Sequence, residues 1–300
     1  MLSVGIFTGY YPYDTDEVIR RIKNSDFSCV QLDVSFKDCD AAKGELTKEK
    51  AVAIRNKLRD ANLPAICVSG YTNFIHPDKE KRRKNIEFLK LMIGFAGDLG
   101  CTFVASETGT YNEESDWVWD DRNASEEVYQ ETLAVVRDIV SYARERGVTF
   151  LIENYVNNVI GSVAQVKRLF ADVDSKYLGL VCDPTNYFDD SNIDKMDETL
   201  REIFDELAPF MRIAHAKDCI RATDTSEKHA DIDADESHTF RGAGGVELPA
   251  AGLGVLNYPL YLELLAKHHP NMPLIIEHLD EGDIARAKSF VDGTLKDVGA

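Results

Sequence analysis

The sequence predicts a closed (β/α)8 barrel, and three observations carry that expectation. Short β-rich runs alternate with longer helical patterns along the whole 300-residue chain. Eight such pairs can be read, the number that closes a parallel barrel, and about 250 residues is the usual size of that fold. An open doubly wound sheet would show a glycine-rich phosphate turn after its first strand, and residues 7–12, FTGYYP, are not that turn.

The elements follow in order. Residues 4–7 (VGIF) read as the first strand, and Thr15 is expected to cap a helix with Val18, Ile19 and Ile22 on one side. Residues 29–34 are the second strand, with a helix near 47–58. Residues 64–68 are the third, and the helix after it carries Ile86, Leu89, Ile93 and Ala96 at spacings of three and four, with Gly100 as its terminator. Residues 102–106 are the fourth, with a helix over 125–145. Residues 148–152 are the fifth, and Ser162 with Gln165 forms a capping box for its helix. Residues 177–182, 212–216 and 272–276 are the last three strands, with helices near 194–207, 258–267 and 283–295. One domain over 1–300 is expected, with a long loop after strand seven at about 218–255.

Composition narrows the function. With 44% hydrophobic and 29% charged residues the chain is an ordinary soluble globular protein. Lys and Arg total 34 against 52 Asp and Glu, so the net charge is −18, which opposes a phosphate backbone and excludes nucleic acid as partner. No run approaches the roughly 18 apolar residues of a membrane span. The start, MLSVGIFTGYYPYD, has no basic segment before an apolar one, so no signal peptide is expected. Six scattered cysteines without a CxxC pair read as reduced core thiols of a cytoplasmic protein.

Strand seven breaks the apolar pattern. In MRIAHAKDC (211–219), Ile213, His215 and Lys217 share one face, and burying the last two without partners costs several kcal/mol. The other strand ends supply partners, since barrel enzymes place their chemistry there. Strand two offers Gln31 and Asp33, strand three leads to Tyr71, Asn73 and His76, and strand four ends in Glu107. Strands five to eight end in Glu153, Asp183, His215 and Glu277, spaced by 30, 32 and 62 residues; the last interval is a βα unit enlarged by the long loop. Three carboxylates at one mouth repel unless a cation sits among them. With one imidazole they make a hard ligand set that suits Mn²⁺, Mg²⁺ or Co²⁺, with Zn²⁺ also accommodated. His215 would face that ion, and Lys217 would meet substrate oxygens or a neighbouring carboxylate. His76, beside Pro77, is as readily a cap as a substrate contact, and Glu107 is placed at the site by position alone. Arg241, in the loop, suits an anionic or hydroxylated substrate. Trp117 and Trp119 either sit on the surface or wall a sugar pocket.

The segments LIENY (151–155), LGLVCDPTNYF (178–188), AHAKD (214–218), AAGLGVLNY (250–258) and LIIEH (274–278) resemble the xylose isomerase-like barrels, with GYTNFIHPD and ETGTY at their substrate-side loops. That superfamily of sugar-phosphate isomerase/epimerase proteins also includes ketose 3-epimerases, inosose dehydratases and apurinic endonucleases. The resemblance implies that Glu153, Asp183, His215 and Glu277 are metal ligands. Ketose 3-epimerases have a histidine where this chain has Asn186 and an arginine where it has Lys217. The expectation is an isomerase or epimerase of a keto-sugar or keto-cyclitol that abstracts a proton next to a carbonyl through a metal-stabilised enediolate, with one Mn²⁺ ahead of Mg²⁺, Co²⁺ or Zn²⁺. Glu153 and Glu277 would exchange the proton, and His76, Glu107, Asn186, Lys217 and Arg241 would contact substrate. The alternatives are a lyase, dehydrating a keto-inositol or eliminating from a 3-keto-glycoside, and a non-catalytic sugar-binding barrel. A homodimer or homotetramer is implied by the resemblance only.

Overall fold

In the computed structural model, which describes residues 2–222, 242, 243 and 245–299, eight parallel strands close a barrel. The barrel strands are β1 (Ser3–Phe7), β2 (Cys29–Leu32), β3 (Ala65–Ser69), β4 (Phe103–Glu107), β5 (Thr149–Glu153), β6 (Leu178–Cys182), β7 (Met211–Ala216) and β8 (Pro273–Ile276). Each pairs with its neighbours in sequence, and β1 closes on β8 with Ser3 opposite Pro273 and Ile6 opposite Ile276. The outer helices are α1 (Thr15–Asn24), α2 (Lys48–Asp60), α3 (Lys79–Phe95), α4 (Glu126–Arg144), α5 (Val163–Val173), α6 (Met196–Leu207), α7 (Tyr258–His268) and α8 (Ile284–Val298). The alternation read from the sequence is therefore the architecture found.

Local signals decide where these elements start and stop, and two of them differ from expectation. Ser162 and Gln165 do form a reciprocal capping box at α5. Thr15 is not a cap: it is the first residue of α1, and its N–H and hydroxyl both donate to Asp38 Oδ1 at 2.8 Å. The orphan donor is satisfied by a carboxylate 23 residues away, a tertiary solution that local sequence does not show. Likewise α3 stops at Phe95, and Gly100, at φ +83, closes the turn beyond it.

Two small additions decorate the C-terminal end of the barrel. A two-stranded ribbon, Ser35–Phe36 with Cys39–Asp40, follows β2. The long loop after β7 is not wholly irregular: Ile220–Arg221, Gly242–Ala243 and Val246–Glu247 form a three-stranded antiparallel sheet. Its two ends are joined by Asp218, a buried carboxylate that accepts N–H bonds from Cys219 (2.8 Å), Gly252 and Leu256 (both 2.9 Å). Gly254 passes so close that a Cβ would lie 2.4 Å from Asp218 Oδ1. Residues 223–241, the acidic part of the loop, lie outside the described residues.

Candidate metal centre and cavity

The barrel interior is layered by the two-residue period of its strands. Cys67, Ala105, Leu151, Val181 and Ile213, from β3 to β7, form a fully buried apolar plug. Two residues further along the same strands stand Ser69, Glu107, Glu153, Asp183 and His215, and β8 continues the pattern with Ile275 and then Glu277. An apolar floor thus carries a polar layer at the C-terminal mouth.

Four members of that layer converge. One ligand atom from each of Glu153, Asp183, His215 and Glu277 lies within 4.8 Å of the other three, and all four residues are buried. His215 Nδ1 is 3.4 Å from Glu153 Oε1, 3.5 Å from Asp183 Oδ2 and 3.2 Å from Glu277 Oε1. Donors around an ion at about 2.1 Å stand roughly 3.0–3.4 Å apart, so these spacings fit a small divalent cation. His215 Nδ1, Asp183 Oδ2 and Glu277 Oε1 are buried without a hydrogen-bond partner. Three such orphans aimed at one point are what a metal site leaves when only protein atoms are counted.

Local contacts orient the cluster members. Asp183 begins a 3-10 turn, Pro184–Tyr187, with proline in the first turn where it is favoured. Its Oδ1 accepts the Thr185 N–H at 3.1 Å and hydroxyl at 2.7 Å, which leaves Oδ2 for the cluster. The same turn delivers Asn186, whose amide donates to Glu153 Oε1 at 2.7 Å. Helix α7 fixes the end of β7: the Tyr261 hydroxyl donates to the His215 carbonyl and the Tyr258 hydroxyl to the Lys217 carbonyl, both at 2.8 Å.

Lys217 is buried against the same carboxylates. Its Nζ is 2.7 Å from Asp183 Oδ2, 2.9 Å from Glu277 Oε1 and 3.8 Å from Glu153 Oε1. The first two are charge contacts without hydrogen-bond alignment, since both oxygens lack a bonded partner. Burial disfavours the ammonium, but Asp183, Glu277 and Glu153 outweigh it and hold Lys217 well above its usual range. The same competition holds His215 up and, through His215 and Lys217, holds Glu277 well below the usual carboxylate range. Asp183 is also lowered, because Lys217 and His215 overcome its burial. With a neutral imidazole, three carboxylates and one ammonium leave a charge of −2, which a divalent ion balances.

A cavity of about 250 Å³ opens over this cluster. Glu107, Glu153, Asn186, Lys217 and Glu277 line it, and its wall is largely aromatic, with Phe7, Tyr10, Tyr71, Trp117 and Tyr155. Trp117 packs edge-on against Tyr155 with ring centres 6.0 Å apart. Burial and the neighbouring Glu153 push Glu107 up to about 8, against the pull of the Asn158 amide, which donates to it at 3.2 Å. The two tryptophans part company here: Trp117 is in the wall, whereas Trp119 is 39% exposed and bonds Asp121.

His76 does not line this cavity. Its buried ring accepts the Asp78 N–H at Nδ1 (3.0 Å), and Arg82 donates to its carbonyl, so it is built into the start of α3. Arg241 lies outside the described residues. Three residues at or beside the cluster, of which Tyr71 and His278 line the cavity, carried no assignment from sequence. Gln31, buried, and Tyr71, half-buried, stand at the ends of β2 and β3, and Gln31 Oε1 is 2.8 Å from His215 Nε2. His278, next to Glu277, holds a left-handed φ of +57, a conformation that costs a non-glycine residue of order 1 kcal/mol and collects at functional sites.

With fold and site in view, comparison with known proteins is informative. The family model described as xylose isomerase-like TIM barrel matches residues 19–293. The chain belongs to that family. Among solved structures, a xylose isomerase domain protein from Planctomyces limnophilus is 20% identical with a TM-score of 0.73, the match covering 99% of this chain and 98% of that one. A xylose isomerase-like TIM barrel protein from Mycobacterium smegmatis, in complex with magnesium, is 18% identical with a TM-score of 0.69, covering 100% and 97%. The 3-keto-D-glucoside 4-epimerase of E. coli is 15% identical with a TM-score of 0.67, covering 100% and 99%. At these identities the likeness is one of fold. No curated protein matches the sequence. Among the described residues, no helix is long and apolar enough to cross a membrane.

Proposed function

We propose that this xylose isomerase-like barrel is a divalent-metal-dependent isomerase or epimerase of a keto-sugar or keto-cyclitol. The observation that carries the reading is the convergence of Glu153, Asp183, His215 and Glu277 beneath an aromatic-walled cavity of about 250 Å³. Those four residues would hold the ion, and Mn²⁺ is the proposed occupant because three carboxylate oxygens and one imidazole form a hard set. When bound, such an ion draws electron density from the oxygens of a hydroxy-ketone and makes the adjacent C–H more acidic.

The protein groups divide the proton work. Glu277 is the more open carboxylate, with a side chain 10% exposed against 3% for Glu153, and it is the better placed base at the cavity. Glu153, on β5, faces the substrate from the other side of the cluster; it takes a proton from solvent and delivers it to the substrate, while the proton on Glu277 passes to solvent. Return to the opposite face of the same carbon is epimerisation; return to the neighbouring carbon is isomerisation. Lys217 and Asn186 orient substrate oxygens, Glu107 accepts from a hydroxyl, and Trp117 and Tyr155 cover the C–H face of the ring. Nothing in this arrangement calls for a nucleic acid, and the charge of −18 opposes one.

The test is deuterium exchange. Free keto-hexoses, 3-keto-glycosides and a keto-inositol are incubated in D₂O with Mn²⁺-loaded protein and followed by NMR and mass spectrometry. Deuterium should enter beside the carbonyl with the wild type and not with Glu277→Gln. Exchange accompanied by loss of water or aglycone would make the enzyme a lyase. No exchange with any of the three classes, while the metal is bound, would defeat the proton-transfer reading.

A further inference from the structure

Glu153 and His215, 62 residues apart in sequence, are joined through a buried glutamine and a half-buried tyrosine that belong to neither strand. The Tyr71 hydroxyl donates to Glu153 Oε2. Gln31 Nε2 donates to that same hydroxyl oxygen at 3.3 Å and to Ser69 Oγ at 3.4 Å. Gln31 Oε1 is 2.8 Å from His215 Nε2. Gln31 is fully buried, so water does not compete for its amide.

The direction of every bond in this chain follows from one end. A carboxylate only accepts, so Tyr71 must be the donor to Glu153. Its oxygen then has lone pairs to offer, and Gln31 must turn its NH₂ toward it. That orientation places the Gln31 carbonyl oxygen at His215, so His215 Nε2 must carry the proton. In the neutral ring the lone pair is then on Nδ1, the atom that faces Glu153, Asp183 and Glu277 at 3.2–3.5 Å. The acceptor role of Glu153 toward the Tyr71 hydroxyl thus fixes the tautomer of His215 through two intervening side chains.

We infer that Gln31 and Tyr71 form a bridge that locks His215 in its metal-binding tautomer and couples it to Glu153. Both are positioning residues, acting on the ion through the ligands they hold. The inference rests on the metal-site reading above and goes beyond it by assigning two residues that no ligand motif includes. Partners of metal-bound histidines fix ring orientation, and their loss costs about 10–100-fold in metal affinity.

The experiment is a double-mutant cycle with Gln31→Met and Tyr71→Phe, read by Mn²⁺ titration and by the unfolding midpoint of chelator-treated protein. Each single variant should bind Mn²⁺ about 10–100-fold more weakly. The double variant should be no worse than the weaker single, because either change breaks the same chain. In zinc-loaded, ¹⁵N-histidine-labelled protein, His215 should be protonated at Nε2, and the signal should change in Gln31→Met. Wild-type affinity in either single variant, or losses that multiply in the double, would overturn the bridge. A wild type that binds no divalent ion would defeat the proposed function instead. The bridge would then stand on non-additive losses in the chelator-treated midpoints and fall on additive ones.

Discussion

Replacing Lys217 with methionine should move two properties in opposite directions. The side chain keeps its unbranched four-atom stem and loses the charged terminal nitrogen, so the change isolates the ammonium. At an effective dielectric of about 20, a charge pair at 2.7 or 2.9 Å is worth about 6 kcal/mol and one at 3.8 Å about 4 kcal/mol, giving roughly 16 kcal/mol of gross attraction to Asp183, Glu277 and Glu153. Desolvation of the buried ions consumes most of that, and breaking a buried pair by removing one partner typically costs about 3–5 kcal/mol. Over 300 residues, at about 2.1 cal/mol/K per residue, the chelator-treated variant should melt about 5–8 °C below wild type.

Metal affinity should rise. Without the ammonium the cluster carries −3 rather than −2, and no fixed cation repels the incoming ion. Calorimetric titration with Mn²⁺ should therefore show binding tighter by at least about tenfold, or about 1.4 kcal/mol. Added Mn²⁺ should raise the variant's midpoint by more than it raises that of wild type. A chelator-treated variant that melts at or above wild type would show that Lys217 does not hold the carboxylates together. Weaker metal binding would show that the charge count is wrong.

Three further outcomes are expected. Asp183→Asn should abolish stoichiometric divalent-ion binding, measured by elemental analysis after purification without chelator, because Oδ1 is already committed to Thr185 and Oδ2 is the ligand atom. Asp218→Ala should leave three backbone N–H groups without their acceptor at about 1–3 kcal/mol each, lowering the midpoint by several degrees and opening the backbone at 218–222 and 250–256 to limited proteolysis; Asp218→Asn should recover part of the loss. Glu107 is held up to about 8 from an ordinary 4.5, so the native state keeps a proton that the unfolded chain releases, and stability falls as pH rises between those values. In chelator-treated protein, Glu107→Gln should therefore gain in midpoint over wild type from pH 5 to pH 8 and level off above; a constant difference across that range would refute the raised carboxyl.

The strand order and the convergence of four polar strand ends were legible in the sequence because both follow from short-range periodicity. Period-two alternation marks each strand, and a charged residue one step past an apolar run is conspicuous in one dimension. Glu153, Asp183, His215 and Glu277 each follow such a run, and recurrence near one βα unit placed them on one rim. The same logic misplaced Thr15, whose orphan donor is satisfied by Asp38, and could not say whether His76 faced substrate or helix. The deciding partner in each case, Asp38 for Thr15 and the Asp78 N–H for His76, is a matter of packing rather than pattern.

What sequence could not show is the connectivity within the polar layer. Gln31 is 184 residues from His215, and Tyr71 is 82 residues from Glu153. Neither is conspicuous alone, because a glutamine inside a strand and a tyrosine just past one are common. They acquire meaning only when the closed barrel sets β2 and β3 across from β5 and β7, and an acceptor-only carboxylate then orders every donor behind it. His278 is a similar case: its φ of +57 is invisible in the letters, yet it follows a ligand directly and shares the cavity. The proposed metal centre has two layers of specification. The four converging side chains are written locally, at the ends of strands. The tautomer and charge state that let them bind are written by residues brought together only by closing the barrel.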